Sequence, residues 1–302
     1  MAVRNLPTDA RGQRLDRALS ALLGTPDAPV SVREIRAALK RGELLLDGRV
    51  RAPGDRARGG EAVDTSAFVA RSVAVVPPDP ELLAQVPVLF EDPHLLVLDK
   101  PSGVPTQPLR PGEGGTLLGA AVARAPAIAA AGPPLEGGLV HRLDVGTSGV
   151  VVFAKNAAQR MHLRDDFNHH RIEKRYLALA RGTLPDAAVA EGPIGPGGPD
   201  RVRVGPGGQP ARTEVEVLAR FEDGLLWVEA RTSTGRRHQV RAHLADLGAP
   251  IVGDPVYGAG PEPLLARLGL HAAAVTLADG RRFEAPVRGA LAEVLDGLRK
   301  RP

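Results

Sequence analysis

The apolar run Val150-Val151-Val152-Phe153-Ala154 constrains this chain most, because a continuous stretch of this kind reads as a strand buried in a core. What precedes it does not look like a core. Gly138-Leu139-Val140-His141-Arg142-Leu143-Asp144 places a histidine, an arginine and an aspartate close together, and Val145-Gly146-Thr147-Ser148-Gly149 leads from them into the strand. An acid beside an arginine at that point is either a salt-bridged turn or a carboxylate held on a rigid edge. These neighbours alone favour the turn.

The rest of the chain decides what such a strand could belong to. At 302 residues, 43% hydrophobic and 25% charged, it suits a soluble globular protein with one large core or two domains. Aromatic residues make up only 3%, so the core must be built from Leu, Val and Ala. No run approaches the roughly 18 apolar residues of a membrane span, and the first residues lack a signal-peptide pattern. No membrane association and a cytoplasmic location are expected. The absence of cysteine excludes disulfides, thiolate metal sites and a cysteine nucleophile.

Charge is unevenly distributed. Residues 1–60 hold twelve Lys or Arg against seven Asp or Glu, whereas the other 242 hold 27 against 28. A basic excess confined to one end suits an appended nucleic-acid-binding module. The spacing of Leu15, Leu19, Leu22 and Leu23 predicts a helix over 13–23. Ser31 with Glu34 forms a capping box for a second helix, which carries Arg33, Arg36, Lys40 and Arg41 largely off its apolar stripe. Leu44 to Val50 reads as strand, Asp-Gly turn, strand.

Prolines 77, 78 and 80 suggest a linker, giving a basic domain over 1–72, a linker over 73–85 and a second domain over 86–302. In the second domain, residues 115–130 read as an alanine-rich helix, Asn156 as an N-cap, 191–209 as an irregular hairpin and 287–298 as a closing helix. Alternation in 213–218 and 225–231 predicts antiparallel pairing. Helices and strands do not alternate regularly, so the expected class is α+β: a mixed, mostly antiparallel central sheet flanked by helices, after a small α/β domain.

Several motifs can be set aside. His238 and His243 are five apart, about 140° around a helix, and no glutamate lies between them as a zincin requires. His169-His170 suits a solvated helix end. Gly195, Gly197 and Gly198 lack the lysine and strand-to-helix setting of a phosphate loop, and Ser148 lacks a nucleophile-elbow context. No metal site is expected. What changes the reading of Asp144 is a second segment of the same character: Thr232-Ser233-Thr234-Gly235-Arg236-Arg237-His238 runs from a strand end through a small-residue turn into a helix with Val240 on its apolar face. An arginine delivered there could hold a partly buried carboxylate in its charged form.

Four stretches together resemble the RluA-type pseudouridine synthases. They are Phe90-Glu91-Asp92 through Lys100-Pro101-Ser102-Gly103; His141-Arg142-Leu143-Asp144 through Ala154-Lys155; Lys174-Arg175-Tyr176-Leu177-Ala178; and Thr234-Gly235-Arg236 through His243-Leu244. Ile251 to Gly258 fits as well, and the resemblance covers roughly 86–290. Val145-Gly146 departs from the charged pair many relatives carry, and no His-Pro follows Leu270-His271-Ala272. The amino-terminal segment is similar to the RNA-binding domain of the ribosomal protein S-four type.

The resemblance implies an isomerase that flips a uridine out of structured RNA and rejoins its base to the ribose through carbon 5, without cofactor or metal. Large-subunit ribosomal RNA is the favoured substrate, with tRNA or a non-catalytic RNA-binding role as alternatives, and a monomer is expected. The residues implied as catalytic are Asp144, acting on the ribose as nucleophile or base, Tyr176, packing on the base, and Arg236, orienting Asp144. Arg142, Thr147 and Val240 are implied on the substrate side. Lys174, Arg241, Arg33, Arg36 and Arg41 are implied as phosphate contacts. A glycoside hydrolase would instead need a second carboxylate across one sugar bond.

Overall fold

The computed structural model describes residues 3–24, 30–72, 76–258 and 263–300, and the chain divides into two units, residues 1–75 and 76–302. In the first unit, α1 (Leu15–Leu23) and α2 (Val32–Lys40) pack through fully buried Leu15, Leu19, Ile35 and Leu39. The Ser31 hydroxyl accepts the Glu34 N–H at 3.1 Å, as the capping box requires. A small sheet in the order β1 (Val3–Asn5), β3 (Ala62–Asp64), β2 (Leu45–Leu46) completes the unit with α3 (Ser66–Ser72). The expected Asp-Gly hairpin is truncated. Asp47 and Gly48 take the positive φ values of a tight turn, but the return strand is a single bridge at Arg49, and β2 pairs with β3 instead.

The expected linker over 73–85 differs from what the structure places there. Residues 73–75 lie outside the described residues. Beyond them, the second unit already includes α4 (Pro80–Leu83). Asp79 caps this helix by accepting the Leu82 N–H at 2.9 Å, and its other oxygen accepts the Gly115 N–H at 3.1 Å. Pro80 therefore opens a helix, a position where its missing N–H costs nothing.

The second unit is built on a nine-stranded sheet. Its strands are β4 (Val88–Glu91), β5 (Leu95–Lys100), β6 (Ser148–Ala154), β7 (Glu173–Arg181), β8 (Ala187–Ala190), β11 (Thr213–Arg220), β12 (Leu225–Thr232), β13 (Leu270–Thr276) and β14 (Arg282–Glu284). The order is β4-β5-β6-β13-β7-β12-β11-β8, with β14 beside β13. Only β6 and β13 pair in parallel; every other pairing is antiparallel, and the α+β class holds. A separate ribbon, β9 (Ile194–Pro196) with β10 (Val202–Val204), forms the expected irregular hairpin.

Val150 to Ala154 are each fully buried, as are Leu95 to Leu98 beside them. That burial explains the unbroken apolar run, since neither face of β6 meets water. The predicted helix over 115–130 is split into α5 (Leu117–Arg124) and α6 (Ala127–Ala130) by Pro126, whose ring cannot continue a helix. Asn156 caps α7 (Ala157–Asn168) by accepting the Gln159 N–H at 2.9 Å. The remaining helices are α8 (Gln239–Asp246) and α9 (Ala290–Arg299).

Candidate active site

Asp144 lies in the turn that feeds β6, and the turn is pinned from both sides. His141 Nε2 accepts the Val152 N–H at 3.1 Å, and its ring stacks on Phe167 with centroids 4.9 Å apart. Burial, reinforced by nearby Lys174, pushes its pKa down to about 3, so the ring stays neutral and can accept. From the other side, Thr106 Oγ1 donates to the Leu143 carbonyl at 2.8 Å and Ser102 Oγ to that of Gly146 at 2.7 Å. Fully buried Lys100 donates to the carbonyls of Pro101, Val104 and Val145. Burial, and then the Arg267 charge, lower the Lys100 pKa to about 7 against an opposing pull from Asp144. The Asp-Lys-Pro-Ser-Gly stretch thus works as a strap on the Asp144 turn.

Gly149 has to be glycine. Its φ is +116°, and a Cβ there would meet the Ala272 carbonyl oxygen at 2.1 Å, where β6 and β13 run side by side.

Asp144 Oδ2 accepts from Arg241 Nη1 at 2.9 Å. Arg241 also holds Asp254 with two parallel bonds, Nε to Oδ2 and Nη2 to Oδ1, both 2.8 Å. The Asp254 side chain is 0% exposed, that of Arg241 7%, and that of Asp144 28%. The carboxylate of Asp144 is therefore the solvent-facing end of a buried charge chain. Burial alone would lower the Arg241 pKa, but its bonds to Asp254 and Asp144 raise it. Tyr257 stacks under Arg241 at 5.3 Å, and its hydroxyl meets His238 Nδ1 at 3.2 Å. His238 Nε2 stands 3.9 Å from Asp144 Oδ1.

This arrangement corrects the expected orienting partner. Arg236 was expected to orient Asp144 from the helix start, but His238 takes a left-handed conformation (φ 53°) and α8 begins only at Gln239. Arg236 stays in the preceding loop and donates to the Pro210 carbonyl at 3.0 Å, while Arg241, inside the helix, reaches Asp144. Gln239 anchors that loop: its Oε1 accepts the Arg236 N–H at 3.1 Å and its Nε2 donates to Thr232 Oγ1 at 2.7 Å.

The other expected contacts divide. Lys174 is buried, donates to the Thr234 carbonyl and lies 5.8 Å above the Phe167 ring, so it ties the loop to β7 rather than waiting for a phosphate. Burial, then Arg236, lower its pKa to about 8. Val240 is packed in the core, and Thr147 is buried with its N–H on the Asp144 carbonyl at 3.0 Å. Arg142 is exposed in the cleft and has no ion pair among the described residues. In the amino-terminal unit, Arg36 and Arg41 are bound by Asp16 and Glu43, each at 2.6 Å. Exposed Arg11, Arg33, Arg56 and Arg58 carry no ion pair among the described residues.

Above Asp144 opens a cleft of about 960 Å³. Tyr176 on β7 forms part of its wall. Burial, and then the Asp144 charge, raise the Tyr176 pKa well above the usual tyrosine value, so it stands there as a neutral phenol. Arg142, Arg164, Arg236, Arg237 and Arg267 face the cleft against the carboxylates of Asp144 and Glu113, an excess of positive charge that suits a polyanion. Asp254, which shares Arg241 with Asp144, is buried and bound at both oxygens, and the other carboxylate of the cleft, Glu113, accepts the Leu109 and Arg110 N–H groups. No group of three or more His, Cys, Asp or Glu positioned to hold a metal occurs among the described residues. His243 is instead satisfied by Thr213 Oγ1 at 2.8 Å and the Gly192 carbonyl at 2.9 Å. No helix of the described residues is long and apolar enough to cross a membrane.

Fold and site together present a part-exposed carboxylate, held by a buried arginine, in a cleft with an excess of positive charge. Residues 94–246 match the family model described as RNA pseudouridylate synthase. A ribosomal large subunit pseudouridine synthase D of Xanthomonas campestris is 36% identical over 255 residues, covering 84% of this chain and 73% of that one. An uncharacterized RNA pseudouridine synthase of Chloroflexus aurantiacus is 36% identical over 308 residues, covering 98% and 93%. Among solved structures, human RNA pseudouridylate synthase domain containing 4 aligns with a TM-score of 0.58 at 24% identity, over 77% of this chain and 97% of that one, a likeness of fold. The chain belongs to the RNA pseudouridine synthase family and is an RNA pseudouridine synthase. The non-catalytic alternative is not favoured.

Proposed function

We propose that the protein converts particular uridines of large-subunit ribosomal RNA to pseudouridine, with Asp144 acting on the ribose and Tyr176 packing against the flipped base. The observation that carries this reading is the Asp144 carboxylate, held by Arg241 at the floor of a cationic cleft. In the reaction the bond from uracil N1 to the ribose breaks, the base turns, C5 joins the same ribose carbon, and the C5 proton is lost as N1 gains one. Atoms balance without an oxidant or a carrier. Two features of the site serve that sequence: a carboxylate placed to act on the sugar, and a cleft wall carrying Tyr176 against which a detached base can turn. The high Tyr176 pKa favours a packing role, because a phenolate there would be buried beside a carboxylate. The ribosomal assignment draws on the names of relatives such as the Xanthomonas campestris protein.

The amino-terminal unit acts in this reading as an RNA-binding module of the ribosomal protein S-four type. Its support is the basic excess of residues 1–60 and the exposed Arg11, Arg33, Arg56 and Arg58, which carry no ion pair among the described residues. The test is to map pseudouridines in ribosomal and transfer RNA from cells with and without the protein. Loss of one or more large-subunit positions is expected. Loss confined to tRNA would overturn the ribosomal assignment, and an unchanged map would overturn the whole reading.

A further inference from the structure

Arg267 faces the same cleft as Asp144, and no carboxylate pairs with it among the described residues. It is half-buried, and neutral acceptors hold it in place. Its Nε donates to the Leu268 carbonyl at 3.0 Å, and its Nη2 donates to Ser148 Oγ at 3.0 Å and to the Leu270 carbonyl at 3.1 Å. No hydrogen bond within the described residues uses Nη1.

The Ser148 contact has a fixed direction. His271 Nε2 lies 2.9 Å from the Ala285 carbonyl, which can only accept, so the ring proton sits on Nε2. Nδ1 is then bare and must accept the Ser148 hydroxyl, 2.9 Å away. That leaves the Ser148 oxygen free to accept from Arg267. Burial lowers the His271 pKa, which keeps the ring in this neutral state. The pair superficially suggests a nucleophilic serine and its base. With Ser148 9% and His271 2% exposed, and an arginine N–H on the serine oxygen, it serves to aim Arg267 instead.

An unpaired guanidinium held this firmly in a substrate cleft is costly unless an anion completes it. The segment also abuts the Asp144 turn, since a Cβ on Gly146 would stand 3.1 Å from Leu268 Cβ. We infer that Arg267 is a phosphate-binding residue of the substrate cleft, aimed by Ser148 and His271 at a phosphodiester flanking the nucleotide whose ribose Asp144 acts on. The inference rests on the reading of the reaction given above. A guanidinium with one nitrogen free and no carboxylate partner among the described residues suits a phosphate oxygen, which carries negative charge and only accepts.

The probe is an RNA oligonucleotide spanning a uridine found by the mapping, made with the 5′ or the 3′ flanking phosphate replaced singly by a neutral methylphosphonate. On the unmodified RNA, Arg267→Met should lose roughly tenfold or more in affinity, with KM moving more than kcat. The wild type should lose a similar factor at one of the two neutral linkages, where Arg267→Met loses nothing further. Ser148→Ala should give a smaller loss of the same kind, at the same linkage. If Arg267→Met does not fold, Arg267→Lys read against the same RNAs should show a reduced sensitivity at that linkage. Equal sensitivity of wild type and the Arg267 variants at both linkages overturns the assignment. Failure of the wild type to convert any uridine overturns the reading of the reaction and the assignment with it, so the two failures can be told apart.

Discussion

Asp254 binds Arg241 with two parallel hydrogen bonds, and this grip leaves one guanidinium nitrogen directed at Asp144. A side chain with a single ammonium cannot reproduce three bonds set in one plane. Arg241→Lys should therefore fold but lose on the order of tenfold to a hundredfold in kcat, with little change in RNA affinity. Asp254→Asn should show the same pattern and, in addition, a stability loss of about 1–3 kcal/mol, because Arg241 loses its buried charged partner and keeps only Asp144. Steady-state kinetics and denaturant unfolding check both. An unchanged kcat in Arg241→Lys would mean that the Asp144 contact is incidental.

Asp99 on β5 gives the protein a pH-dependent penalty. Burial, partly opposed by Arg288, raises its pKa to about 6. The folded protein thus holds this proton more tightly than the unfolded chain, whose carboxyl titrates near 4. Ionisation opposes folding from about pH 4 upward, and the penalty is complete above about pH 6. Asp99→Asn should match the wild type at pH 4 and exceed it by about 1–3 kcal/mol at pH 8. Urea unfolding at the two pH values reads this directly; equal stability at pH 8 would remove Asp99 from the account.

The arginines of the small unit should separate into two kinds. Arg33 is exposed and has no ion pair among the described residues, so Arg33→Ala should weaken RNA binding and lower the slope of log affinity against log salt by about one, with no change in stability. Arg36 is tied to Asp16, whose side chain is fully buried and whose pKa is held down by Arg14 and Arg36. Arg36→Ala should cost about 1–2 kcal/mol in stability and leave the salt slope nearly unchanged. Identical behaviour of the two variants would contradict this division.

Val152 is fully buried in the middle of β6, so Val152→Ala should destabilise by about 2–3 kcal/mol without altering the pattern of modified uridines.

Some of this was legible in the chain and some was not, for definite reasons. The apolar run of β6 announces itself because both faces of the strand are covered, and Ser31 and Asn156 mark helix starts through local chemistry. Pro77, Pro78 and Pro80 mislead because a proline after a capping aspartate opens a helix as readily as it makes a linker. Asp144 was legible as an acid in a turn, but its partner was not. Arg236 lies nearer the turn, and nothing local reveals that His238 adopts a left-handed conformation that delays the helix and brings Arg241 inward. Lys100 and Arg267 took on their roles partly through contacts far along the chain, with the Val145 carbonyl and with Ser148, and Asp254 acts through Arg241, which lies 97 residues from Asp144. The unbroken motif order was the signal that could have pointed to Asp254, since it sits in Gly-Asp-Pro-Val-Tyr with no core role of its own.

One variant tests most directly whether the Asp144 carboxylate performs the chemistry. Asp144→Asn keeps the shape of the side chain and one oxygen for Arg241 while removing the charge. Incubated with the RNA whose uridine the wild type converts, the purified variant should match the wild type in thermal unfolding and bind the RNA with similar affinity. It should form no detectable pseudouridine by quantitative mapping of that position. Conversion at the wild-type rate by a properly folded Asp144→Asn protein would contradict the account.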